Sequence, residues 1–177
     1  AVMLSAQTTD KRVNEVTKIL FDKYSTLAKL KDAKLEDITS IIRPLGTYQR
    51  KASYLLEIAN ILYYQYDGKV PHDREKLEAM PGVGRKVTNV VLSEWFHDAS
   101  IAVDTHVERI SKRLGFAKAD DTVLTVEKKL MKTIPKNRWI KTHHQMIFFG
   151  RYHCKAMTPH CKECPLVDIC KEKNKKL

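Results

Sequence analysis

The strongest constraint on this chain is a succession of helical patterns, cut at short intervals by proline, glycine and capping residues, with no convincing alternating strand. Val13, Val16, Ile19, Leu20 and Phe21 form an apolar stripe on a helix that Thr9-Asp10 can cap and that reaches Tyr24. A short segment covers Thr26 to Asp32, and another runs from Leu35 to Arg43 until Pro44 and Gly46 stop it. A longer helix, rich in Leu, Ile and Tyr, spans Tyr48 to Tyr66 and ends at Asp67-Gly68 before Pro71. Asp73 caps a short helix to Ala79, Pro81-Gly82-Val83-Gly84 breaks the pattern, and Arg85 to Phe96 resumes it. Asp104 caps a helix through Leu114, Asp121 one through Thr133, and the last long helix spans Arg138 to Tyr152. Ser100-Ile101-Ala102-Val103 is the best strand candidate, but four residues make a thin case. The expected architecture is all-α, with no long linker, repeat or low-complexity stretch.

Length and charge narrow the class. At 177 residues the chain fits one ordinary domain or two small lobes. The 32 Lys+Arg against 21 Asp+Glu give a net charge of +11, which favours a polyanionic partner because each neutralised phosphate releases counterions. Charge alone leaves nucleic acid no better than an even choice. No apolar run nears the ~20 residues that span a bilayer, and no signal peptide stands first, so an intracellular protein with no membrane partner is expected. Ala1-Val2-Met3-Leu4 reads as the last turn of a helix that begins upstream, and Lys171 to Leu177 as a charged, mobile tail. All four cysteines lie from Cys154 onward. Without a secretion signal, that clustering points to a metal site before a disulfide scaffold.

Two segments carry the chemistry. In Met80-Pro81-Gly82-Val83-Gly84-Arg85-Lys86 two glycines sit in a tight turn between short helices. Glycine permits positive φ and close backbone approach, and the amides of Gly82, Gly84 and the second helix's first turn could face a phosphate together. An isolated Gly-x-Gly is more often a plain helix–helix turn. The adjacent Arg85-Lys86 shifts the balance towards a DNA backbone. Lys86 at a helix start opposes the helix dipole, and with partial burial its pKa would fall and leave some neutral, nucleophilic amine. Taken singly, a phosphate contact is the commoner use of such a lysine. In Ile101-Ala102-Val103-Asp104-Thr105-His106, Asp104 stands at a helix N-terminus. It reads either as a plain N-cap or as an ionised carboxylate facing positive charge on a sugar ring, and His106 reads as structural.

Cys154, Cys161, Cys164 and Cys170 are separated by six, two and five residues. Four thiolates so close can enclose one tetrahedral metal or a cubane cluster, and spacing alone leaves zinc and iron–sulfur near even.

The hairpin, Val103-Asp104-Thr105-His106 and the Cys-x6-Cys-x2-Cys-x5-Cys ending together resemble the endonuclease III family, in matching order and spacing. So do Leu4-Ser5-Ala6-Gln7-Thr8-Thr9-Asp10 and Phe149-Gly150-Arg151-Tyr152-His153-Cys154, and the resemblance runs from Ala1 to about Lys171. It implies a two-lobed helix-hairpin-helix DNA glycosylase fold. A six-helix barrel lobe would cover 8–106, with the helix-hairpin-helix at about 73–96. A cluster lobe would combine 107–177 with 1–7, and its 4Fe–4S loop would be 154–170. It further implies base-excision repair of double-stranded DNA carrying a damaged base or an abasic site, by a monomeric bacterial-type enzyme of the cytoplasm and nucleoid. Oxidised pyrimidines would be extruded from the stack. Lys86 matches the family's catalytic lysine, which displaces the base at the anomeric carbon, forms an imine and cuts the strand by β-elimination. Asp104 matches its catalytic aspartate. Gly82, Gly84 and Arg85 would grip the DNA backbone, with a monovalent cation often held by the hairpin carbonyls. Gln7 matches the residue that fills the gap left by the flipped nucleotide. Thr47 stands where many relatives carry a larger apolar wedge, so wedging is expected to be weaker. Lys155 and His160 lie in the loop used against phosphates. Cys154, Cys161, Cys164 and Cys170 would hold the cluster for structure and DNA-mediated redox, outside the bond-breaking step. Rival readings are a thymine-mismatch glycosylase of the same superfamily and a non-catalytic DNA-binding module with a zinc knot. Adenine-mismatch relatives lack the lysine that stands here at 86.

Overall fold

The computed structural model describes all residues from Ala1 to Leu177. Nine α-helices follow one another without a strand: α1 (Asp10–Lys23), α2 (Leu27–Lys31), α3 (Leu35–Ile42), α4 (Tyr48–Gln65), α5 (Arg74–Glu78), α6 (Arg85–Glu94), α7 (Thr105–Leu114), α8 (Val123–Thr133) and α9 (Trp139–Phe148). A 3-10 turn at Val2–Ser5 stands where a last helical turn was expected. None of the helices is long and apolar enough to cross a membrane.

Two compact units result, Ala1–Thr88 and Asn89–Leu177. In the first, the stripe of α1 (Val13, Val16, Leu20) packs with Ile38 and Ile42 of α3 and with Ala52, Leu55 and Ala59 of α4. In the second, Val107 and Ile110 of α7, Val126 and Leu130 of α8 and Trp139 and Met146 of α9 make a separate core. Burying such side chains supplies ~25 cal/mol per Å² of apolar area, so each unit has its own reason to stay folded.

Capping sets several boundaries where the sequence places them. The side chains of Thr26, Asp73 and Asp104 accept backbone N–H bonds at the starts of α2, α5 and α7. Four expectations need correction. Ser100–Val103 is not a strand: it has no partner to pair with, and it is tied instead to Asn89, whose Nδ2 donates to Ile101 O and whose backbone carbonyl accepts from Ser100 Oγ. Thr9 occupies the N-cap position of α1 but makes no capping bond. α8 is capped by Thr122, because Asp121 accepts from Lys118 N and from Lys129 Nζ. The last helix is three pieces, a 3-10 turn at Lys136–Arg138, α9, and a π-helical turn at Phe149–His153. That widened turn contains Gly150, where a Cβ would stand 2.9 Å from the Cβ of His106.

Candidate active site and cysteine cluster

The hairpin is built from the chain upward. Asp73 Oδ1 accepts from Lys76 N to start α5, and Leu77, Met80 and Val83 are buried and anchor the turn. Val83 N–H closes the turn on Met80 O at 3.1 Å. Gly82 has φ +71, and a Cβ there would meet the Tyr54 ring at 2.5 Å, so both backbone and space demand glycine. Gly84 differs. Its φ is not positive and nothing lies within 4 Å of its would-be Cβ, so positive φ explains only one of the two glycines.

Thr88 N bonds Gly84 O at 3.0 Å, and the amides before it have no acceptor inside α6, as in any first helical turn. Gly84, Arg85 and Lys86 are all exposed on that opening turn. The partial burial expected for Lys86 therefore does not hold in the folded chain. Only a bound molecule could desolvate it.

The first unit also brings two exposed residues together near its start. Gln7 and Thr47 both sit in the left-handed region, at φ 53 and 54. The Gln7 carbonyl oxygen is 3.5 Å from the would-be Cβ of Gly46, the neighbour of Thr47.

In the second unit Asp104 is half-buried, and its Oδ1 accepts from His106 N at 2.9 Å and Val107 N at 2.8 Å. One oxygen does all the capping; Oδ2 takes no part in it. His143 of α9 is buried with Nδ1 unpaired, and burial pushes its pKa down, helped by His144 and opposed by the charge of Asp104. His106 Nδ1 meets Arg109 Nη2 at 3.2 Å.

Arg109 and Arg113, one turn apart on α7, reach into the cysteine segment. Arg109 donates from Nε and Nη2 to Cys154 O and from Nη2 to Gly150 O. Arg113 donates from Nη1 to Lys155 O and Cys154 Sγ and from Nη2 to Ala156 O. The four thiols are free and partly buried, and they line one small cavity with Phe149 and Val167. No three His, Cys, Asp or Glu side chains converge closely enough to hold a single metal ion. Four thiols free of disulfides around a shared cavity, beside an arginine that can offset thiolate charge, make a donor set that suits a thiolate-bound metal centre. Lys155 and His160 are exposed on this loop, and the His160 ring meets that of His153 edge-on.

Residues 1–136 match the family model described as HhH-GPD superfamily base excision DNA repair protein. The chain belongs to that superfamily. It is 51% identical over 176 residues to endonuclease III of Bacillus subtilis, covering 99% of this chain and 80% of that protein. Among solved structures it is similar to a trapped endonuclease III–DNA covalent intermediate, an estranged-adenine complex, with a TM-score of 0.93 and 55% identity over 97% of this chain and 80% of that one. A thermostable thymine-DNA glycosylase shares the fold, with a TM-score of 0.82 over 96% of this chain and 79% of that one, at 22% identity. The superfamily's helix-hairpin-helix architecture is thus the one described here.

Sequence reasoning missed Lys51, Arg109 and Arg113. A signal existed for the first: Lys51 precedes Leu55 by one turn, on the face that should be apolar. Nothing in the sequence marks which carbonyls the two arginines find.

Proposed function

We propose that this chain excises oxidised pyrimidines from double-stranded DNA and cuts the abasic strand, with Lys86 as nucleophile and Asp104 as its carboxylate partner. The observation that carries the reading is the placement of Lys86. It is an exposed primary amine in the first turn of α6, directly behind a hairpin whose second glycine leaves open room for another molecule. The bound nucleotide excludes water from the amine, and the unprotonated Nζ supplies the electron pair.

Nζ bonds to C1′ of the extruded nucleotide while the C1′–N bond breaks, and the base leaves with that electron pair and takes up a proton. Nζ then sheds a proton, the C1′–O4′ bond breaks with O4′ taking up a proton, and an iminium is left between Nζ and C1′. Loss of a proton from C2′ then expels the 3′ phosphate oxygen, which is β-elimination. Asp104 Oδ2, outside the helix cap, stabilises the positive charge that grows on the sugar.

Gly82, Gly84 and Arg85 hold the DNA backbone against the opening of α6, with a monovalent cation at the hairpin carbonyls, and Lys155 and His160 meet phosphates from the cysteine loop. Gln7 occupies the gap left by the extruded nucleotide, and Thr47, small and polar, wedges weakly beside it. Cys154, Cys161, Cys164 and Cys170 would hold a 4Fe–4S cluster, which would supply a rigid cross-link of the loop. The protein acts inside the cell as a monomer.

Borohydride trapping tests the reading, because hydride reduces the iminium to a stable amine. Abasic duplex should become covalently joined to the protein, and Lys86→Ala should leave no adduct. Strand cleavage persisting in that variant would overturn the mechanism. Excision of thymine from a mismatch, with thymine glycol untouched, would move the substrate to the rival class.

A further inference from the structure

A lysine lies where α4 should be apolar. Lys51 shares the inner face of the helix with Ala52, Leu55 and Ala59 and is only 3% exposed. Its Nζ donates to Ala6 O at 2.7 Å and to Thr8 Oγ1 at 3.0 Å. Both acceptors are neutral, and burial lowers the lysine's pKa, so holding this cation here is costly.

The two acceptors flank a single residue. Gln7 is exposed and sits at φ 53, a conformation that crowds the Cβ of any L side chain. A strained residue on an outward turn persists only where its surroundings over-determine it. The Lys51 ammonium ties the residue before it and the residue after it to one point on a rigid helix. Thr8 N–H adds a bond to Ser5 O at 3.2 Å. A compact, tetrahedral ammonium can meet two acceptors from beneath the turn, which neither an apolar side chain nor a flat guanidinium reproduces.

We propose that Lys51 is a positioning residue that holds Gln7 outward as a preformed finger, ready to fill the space beside the base left unpaired by an extruded nucleotide. The inference rests on the DNA-facing role of Gln7 given above. It assigns the cost of the buried cation to pre-organisation: a turn already fixed loses less freedom when DNA arrives.

The test uses a duplex in which 2-aminopurine stands opposite a tetrahydrofuran abasic analogue, so that fluorescence reports contact at the unpaired base without any reaction. Lys51→Met and Gln7→Ala should each weaken the fluorescence change, and each should slow single-turnover cleavage of a thymine glycol duplex by roughly three- to tenfold, the worth of about one net hydrogen bond. The double variant should be no slower than Gln7→Ala alone. Losses that multiply in the double variant, or a fluorescence change in Lys51→Met equal to that of the unaltered protein, overturn the proposal. Thermal unfolding of each variant shows whether it folds. If Lys51→Met does not, Thr8→Val removes one of the two acceptors and must show a smaller loss in the same direction. An unaltered protein that gives the fluorescence change but no borohydride adduct would sink the lyase reading and leave the finger standing.

Discussion

The hairpin and the cysteine segment are held together in opposite ways. The hairpin closes on its own residues, through the Asp73 cap, the positive φ of Gly82 and the buried anchors Leu77, Met80 and Val83. The segment from Cys154 to Cys170 contains turns but no regular helix, and its side chains are mostly exposed or half-buried. What fixes its start is borrowed, in the form of carbonyl and sulfur bonds from Arg109 and Arg113. A region closed by its own backbone and core should survive the loss of a ligand. One that gathers four thiols round a cavity should not.

That contrast predicts the largest effect. A structural metal site supplies on the order of 10 kcal/mol of folding free energy. With the proposed cluster in place, Cys164→Ser should therefore lose iron and open the Cys154–Cys170 segment to proteolysis, while fragments containing the hairpin stay resistant. Equal resistance of the variant and the unaltered protein would erase the contrast.

Asp104 sharpens it, because this residue starts the helix whose arginines grip the cysteine segment. Asparagine caps as well as aspartate, so Asp104→Asn should keep stability within a few tenths of a kcal/mol while slowing excision by roughly 10²- to 10⁴-fold. Asp104→Ala should lose about 1 kcal/mol in addition. Thermal unfolding and single-turnover excision, measured on both variants, separate cap from charge. If asparagine restored full activity, the carboxylate would be a cap and nothing more.

Gly82→Ala comes next. The new methyl must enter the Tyr54 ring at a positive φ, so a loss of about 1–3 kcal/mol is expected, read by urea unfolding. A neutral result would mean that neither the positive φ of Gly82 nor the Tyr54 ring beside it constrains the turn.

Much of this was legible in the sequence wherever one residue decides a local outcome. Asp73 and Asp104 mark helix starts because a short acceptor side chain has few better uses before an apolar repeat. The reading failed where the outcome depends on distant partners. Asp121 resembles a cap in one dimension, but Lys129, two turns along α8, claims its carboxylate and Thr122 caps instead. Ser100–Val103 has strand-like residues, yet a strand needs a neighbour, and here the Asn89 side chain bonds the Ile101 carbonyl in its place. The exposure of Lys86 was missed for a similar reason. A position on a helix start does not say what covers it. Spacing marked the cysteines as a candidate metal site, whereas Lys86 and Asp104 stood out as catalytic candidates only through the resemblance to the endonuclease III family. Lys51 was passed over because a stripe read for apolar residues ignores the one that is not.

The smallest expected effect makes the finest cut. Gly84→Ala meets no atom within 4 Å and needs no positive φ, so the fold has no use for glycine at this position. Alanine restricts the unfolded chain and should raise stability by about 0.4–1 kcal/mol. The same methyl would stand between the hairpin backbone and a phosphate drawn to the first turn of α6, where close approach is the point of having no side chain. Binding to abasic duplex should therefore weaken as stability rises, and the two readouts should move in opposite directions. Stability and affinity rising together would mean that DNA does not lie against Gly84, and the hairpin's second glycine would be a turn residue of no further consequence.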